Sequence, residues 1–191
     1  MLHWPARMEG RSRRELEEAA RSISPNWTGP LRVELMEAPA AWRTELIAGG
    51  SRGTEVHAAS YLRERRIVLA TELLEDAREL RRIFLHELLH FAWLRLANAD
   101  RDGWEAVVRE EWKRNARGEL GWSAEWRKNM LRTERIGRRR WREYLCESFC
   151  DTGAWACGRL DRHEEFTLGK TWRKRRLQWW RTFVAGRRLS I

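Results

Sequence analysis

The chain has 191 residues, 42% of them hydrophobic and 35% charged. That length suits one domain with a sizeable core and argues against two full ones. No apolar run approaches the roughly 20 residues that cross a bilayer, so no membrane partner is expected. The net charge of +10 and a pI near 10.6 point towards nucleic acid. Only four of the 38 basic residues are lysine, however (Lys113, Lys128, Lys170, Lys174), and so lopsided a ratio follows as readily from a GC-rich genome as from selection for phosphate contacts.

The opening residues, MLHWPARMEGRSRRELEEAA, carry basic side chains but no apolar core after them. They do not read as a secretory signal, and a cytoplasmic location is the expectation. The three cysteines, Cys146, Cys150 and Cys157, are odd in number. The first pair stands at i,i+4 on an expected helix, where a disulfide is awkward, so they read as small buried hydrophobes in a reducing compartment. The 13 tryptophans are scattered and read mainly as core fillers.

Residues 11–23 read as a helix, with Ser12 as a candidate cap and Glu15 three positions on. SPNWTGP is a loop, and LRVELM (31–36) alternates as a half-buried strand does. A short helical piece is expected over 40–48, followed by the flexible GGSRG. Residues 54–70 hold two strand-like runs around the polar turn Arg63–Arg65, so a hairpin is expected, with IVLA its most buried part. The period then changes: Leu80, Ile83, Phe84, Leu88, Phe91 and Leu94 define a long helix over about 76–97, which NADRDG ends. Helices are expected over 103–116, 122–133, 138–157 and 161–185. Strands followed by helices make an α+β domain.

The long helix contains FLHELLHFAW. His86 and His90 lie one turn apart, so both imidazoles leave the same side and can reach one ion about 2.0–2.1 Å away. Glu87, about 100° round the axis, lies beside such an ion and could take a proton from metal-activated water. At this chain's content of His and Glu, H-E-x-x-H is expected about 0.015 times by chance. A catalytic zinc site needs a third protein ligand. The chain continues FAWLRLANAD after His90, so no third histidine follows at close spacing. In REYLCESFCDTGAWA, Glu143, Glu147 and Asp151 recur every four residues on one face of an otherwise apolar segment. Such a stripe is costly without a positive partner, either a metal ion or arginine.

HELLH followed by a later helix with E-x-x-x-D resembles the gluzincin branch of the zincin metallopeptidases. That resemblance implies a zincin-like fold of one small sheet before the HExxH helix, Zn2+ as cofactor, and a protein or peptide substrate. It implies His86, His90 and Glu147 as ligands, Glu87 as general base and Asp151 as the support of a histidine ligand. Glu143 remains an alternative ligand, with Glu147 behind it. The chain is also similar to small intracellular SprT-like and ImmA/IrrE-like peptidases. The first type usually takes a histidine as third ligand, and the second a glutamate on a later helix. Glu147 stands 57 positions after His90, which leaves a helical insertion around 98–137.

Such chemistry needs an oxyanion donor, for which Tyr144, Tyr61 and His163 are candidates. The hairpin would offer an edge strand to the substrate, and His57 on it reads as a surface residue. Two rival functions remain open. Arg138–Arg140, Arg173–Arg176 and Arg187–Arg188, interleaved with Trp172, Trp179 and Trp180, could hold single-stranded nucleic acid on a basic C-terminal helix. Alternatively the ion is structural, with Glu143, Cys146 or Cys150 as fourth ligand.

Overall fold

A computed structural model describes residues 1–8, 10–42, 45–48, 53–133 and 137–191. A short strand β1 (Leu2–His3) precedes helix α1 (Gly10–Ser22), then β2 (Pro25–Asn26) and β3 (Leu31–Met36). Next come β4 (Ala40–Trp42), β5 (Glu45–Ile47), β6 (Thr54–Glu55), β7 (Ala58–Tyr61) and β8 (Arg66–Ala70). A 3-10 turn, Thr71–Glu75, leads into α2 (Ala77–Arg95). Helices α3 (Asn98–Lys113), α4 (Trp122–Thr133), α5 (Arg138–Cys157) and α6 (Lys170–Val184) follow, and β9 (Leu189–Ser190) is the last element. The architecture is α+β, as the order of patterns predicts. No helix among the described residues is long and apolar enough to cross a membrane.

The main sheet has the order β1-β3-β8-β7. Its centre is β8, whose Ile67, Val68, Leu69 and Ala70 are fully buried, because a strand covered on both faces needs an unbroken apolar run. β3 runs parallel to it, from Arg32 opposite Arg66 to Met36 opposite Ala70. β7 runs antiparallel, from Ala58 opposite Leu69 to Tyr61 opposite Arg66. This is the expected hairpin, and it leaves β7 at the edge.

Helix α2 lies beneath this sheet. Asp76 caps it, its Oδ1 accepting from the backbone N–H groups of Arg78 (2.8 Å) and Glu79 (3.2 Å). Leu80, Phe84, Leu85, Leu88, Leu89 and Phe91 are all completely buried, so α2 is the central helix. It packs closely on α5, where Gly153 is the reason: a Cβ there would overlap Leu89 Cδ1 and the ring of Trp180.

Several expectations are corrected. Residues 40–42 and 45–47 are extended rather than helical; β4 and β5 pair antiparallel, Ala40 opposite Ile47, while Arg43 and Thr44 lie outside the described residues. Of GGSRG only Gly53 is described. NADRDG does not separate helices, because α3 begins at Asn98. Ser12 is inside the first turn of α1, which begins at Gly10, and so is not its cap. The helix expected over 161–185 begins only at Lys170. The residues before it form a loop whose backbone bonds elsewhere: the N–H groups of Thr167 (2.9 Å) and Leu168 (2.8 Å) donate to the carbonyl of Glu119. The pairing of β2 with β9, Pro25 opposite Leu189, has no counterpart in the sequence reading.

Candidate metal centre

The motif helix and α5 cross so that three donor atoms converge. Nε2 of His86 and Nε2 of His90 are 3.1 Å apart. Oε2 of Glu147 is 3.2 Å from the first and 3.9 Å from the second. Ligands on a tetrahedron with bonds of 2.0–2.1 Å stand about 3.3 Å apart, so these atoms fit three corners around one small cation. The donor chemistry agrees. Nδ1 of His86 is 2.7 Å from Oδ1 of Asp151; donating its hydrogen there, the neutral ring presents a bare lone pair at Nε2. Two groups of side chains could hold a metal ion by proximity, His86 with Glu87 and His90, and His90 with Cys146 and Cys150.

The electrostatics follow from crowding two imidazoles and two carboxylates out of water. Burial opposes a charge on His86, but Asp151 and Glu147 overcome it and raise its pKa well above the ordinary value. Burial likewise opposes a charge on His90, and Cys146 and Glu147 still raise it to about 9. Glu147 moves the other way: burial pushes its carboxyl up, yet His86, His90 and Arg127 draw it down to about 2. The pocket therefore favours positive charge at the imidazoles, supplied by protons or by a cation.

Glu87 stands apart from this triangle. Its Oε2 accepts a short hydrogen bond from the Ser60 hydroxyl on β7. One oxygen of Glu87 nevertheless lies within 4.8 Å of donor nitrogens on both histidines. By distance alone Glu87 and Glu147 both qualify as ligands. Of the two, Glu147 is the one in contact with Nε2 of His86, whereas Glu87 is engaged with Ser60. His86 and Glu87 open into a cavity of about 350 Å³, also lined by His57, Ile83, Trp122 and Glu165. Glu165, on the loop before α6, ties that wall together by pairing with Arg82 (3.0 Å) and accepting from the N–H of Trp122 (2.9 Å).

Other expected site residues lie elsewhere. Glu143 is exposed and pairs with Arg139 at 2.9 Å, so that end of the acidic stripe takes an arginine as its partner. Tyr144 is not at the cleft: it is fully buried, and its hydroxyl donates to Oε1 of Glu119 at 2.5 Å. Burial and the Glu119 charge push its pKa well up, which suits a core hydrogen bond. His163 is not at the cleft either. Its Nε2 is 3.3 Å from Glu79 and its Nδ1 accepts from the N–H of Glu165, also at 3.3 Å. The Tyr61 hydroxyl accepts from the N–H of Leu46 at 3.1 Å. Cys146 and Cys150 face Nδ1 of His90, at 3.4 and 3.6 Å. These contacts are with the other ring nitrogen from the one that approaches His86 and Glu147. In the basic C-terminal helix, Arg176 is fully buried and Arg173 donates to the carbonyls of Leu168 and Phe166.

Three contributors had no mark in the sequence. Ser60 sits on the expected edge strand, but nothing there tied its hydroxyl to Glu87. Arg127 of α4 pairs with Oε1 of Glu147 at 3.1 Å, one arginine among many. Gly121 is the third: a Cβ at that position would overlap the carboxylate of Asp151. Asp151 Oδ2 is buried and has no hydrogen-bond partner among the described residues, so its carboxylate is held by packing on that side. Gly121→Ala is therefore expected to push Asp151 away from His86 and weaken metal binding by about 10–100-fold, the usual effect of losing a ligand's support. Competition with a chromogenic chelator measures it, and an unchanged affinity would refute the role given to this contact.

Comparison with known proteins finds no family model, no curated protein and no solved structure that matches this chain.

Proposed function

We propose that the chain is a zinc-dependent metallopeptidase of zincin type. The convergence of His86 Nε2, His90 Nε2 and Glu147 Oε2 beside Glu87, at the wall of an open cavity, is the observation that carries this reading. Three protein ligands with the fourth position left to water is the ligand count of a catalytic rather than a structural zinc site.

His86, His90 and Glu147 would hold the ion. Bound there, zinc supplies Lewis acidity to a peptide carbonyl and makes water a nucleophile near neutral pH. Glu87 accepts the proton of the attacking water and passes it to the departing amine. Ser60 fixes Oε2 of Glu87, leaving Oε1 for that transfer. Asp151 holds His86 in the tautomer that offers Nε2. Arg127 holds Oε1 of Glu147, which turns Oε2 towards the histidines. The free edge of β7, beside the cavity, offers backbone groups to an extended peptide.

The test is metal content of wild-type protein and Glu147→Ala, purified in parallel without chelators and checked for folding by circular dichroism. Near-stoichiometric zinc in the wild type and its loss from the variant support the reading. A wild type that takes up no zinc, even when zinc is added back, overturns it.

A further inference from the structure

Cys146 and Cys150 are not used by the proposed chemistry, yet both approach one atom. Their sulfurs lie 3.4 and 3.6 Å from Nδ1 of His90, and one donor atom from each of the three residues falls within 4.8 Å of the others. With metal–sulfur bonds of 2.3 Å and metal–nitrogen bonds of 2.0–2.1 Å, sulfur and nitrogen ligands on a tetrahedron stand about 3.6 Å apart. The two sulfurs come from successive turns of α5 and the nitrogen from α2, so the three atoms surround a point between the helices. A single hydrogen bond to Nδ1 would need only one sulfur. Two thiols and an imidazole are the donor set that selects soft, thiophilic ions over magnesium or calcium.

We propose that Cys146, Cys150 and Nδ1 of His90 form a second metal site, for a thiophilic cation such as Cu(I), Cd2+ or Zn2+. On binding, the two thiols and any hydrogen on Nδ1 release their protons to solvent, and no electron is transferred. The site has its own approach. Cys146 lines an open surface depression with Trp93, Arg138, Arg139, Arg142 and Glu143, none of which lines the cavity at His86 and Glu87. The arginines at its mouth favour an ion arriving as an anionic thiolate complex over a bare dication. Because His90 offers its other nitrogen to the first centre, an ion that replaces the hydrogen on Nδ1 would make the ring an imidazolate bridge and change its donor strength at Nε2. A thiophilic ion would thus act on the first centre without entering the cleft. The second site itself does not depend on the metallopeptidase reading, since none of its donor atoms belongs to the first triangle.

The experiment is a Cd2+ titration of zinc-supplemented protein, followed by the ultraviolet thiolate-to-cadmium charge-transfer band. The wild type should develop a band that saturates with one cadmium per chain. Cys146→Ser should weaken cadmium binding at least about tenfold, Cys146→Ser/Cys150→Ser should abolish the band, and Cys157→Ser should leave it unchanged. Glu147→Ala should keep the band even where it has lost its zinc, which separates this site from the first. A folded wild type without the band, a band that persists in the double variant, or one that vanishes with Cys157→Ser overturns the proposal.

Discussion

Replacing Glu87 by glutamine should abolish hydrolysis while leaving the metal in place. The substitution keeps the shape of the side chain and an oxygen that can accept from Ser60. It removes the ability to take a proton. General acid–base catalysis of this kind contributes about 10²–10⁴-fold, so turnover of a fluorescence-quenched peptide mixture should fall by at least that factor. Zinc content should match the wild type, because Glu147, not Glu87, touches His86 Nε2. Loss of zinc together with activity would make Glu87 a ligand, the alternative that its distance to the two histidines permits. Full activity in a zinc-loaded variant would remove the general base from the mechanism.

The largest stability effect should come from Arg176→Met. Arg176 is fully buried, with Glu111 at 2.6 Å and Glu119 at 2.7 Å. Lys128 pairs with Glu119 at 2.8 Å, and Tyr144 donates to the same carboxylate. Methionine fills most of the space but leaves two buried carboxylates short of their counter-charge. Breaking a buried pair in this way costs about 3–5 kcal/mol, a large share of a total near 5–15 kcal/mol. The pH dependence follows from Glu119. Burial pushes its carboxyl up, but Arg176 and Lys128 pull it down from 4.5 to about 2. A carboxylate depressed in the folded state stabilises above its unfolded pKa, and that contribution fades as pH falls from about 4.5 towards 2. The gap between wild type and Arg176→Met in urea midpoint should therefore be wide at pH 7 and narrow near pH 3. A gap independent of pH would assign the loss to packing alone.

This cluster also bears on the metal centre. Glu119 and Gly121 belong to the same short stretch before α4, and its backbone is held by the loop leading to α6. The residues that steady Asp151 and Glu147 thus come from the segment between the motif helix and α5, which a spacing argument treats as an insertion. Its removal should disturb the proposed ligands themselves.

The motif helix was legible because a strong 3.6-residue apolar period carries a rare five-residue pattern. The acidic stripe on α5 was legible as a stripe, but the role of each acid was not. Helical spacing puts Glu143, Glu147 and Asp151 on one face, whereas the point where α5 crosses α2 decides which of them meets an imidazole. Glu143 falls beyond that point and takes Arg139 instead. Tyr144 looked available because it neighbours the stripe, yet its offset of about 100° turns it towards Glu119. Residues 40–48 were too short for period to separate helix from strand, and their state is set by pairing within the small sheet. The stretch 161–169 has ordinary helix formers, but Glu119 captures its backbone N–H groups, a tertiary partner that no local signal announces. Among 34 arginines, nothing singled out Arg127 or Arg176.

The contact between Gly121 and Asp151 carries a consequence for how this sequence can drift. While Asp151 keeps its place against His86, a side chain at 121 would overlap its carboxylate, so one of the two must shift to admit it. Once the aspartate is replaced by a smaller residue, the constraint disappears and position 121 can wander. Substitutions at the two positions should therefore be coupled, and a lineage with a side chain at 121 should show the carboxylate at 151 either displaced from His86 or replaced.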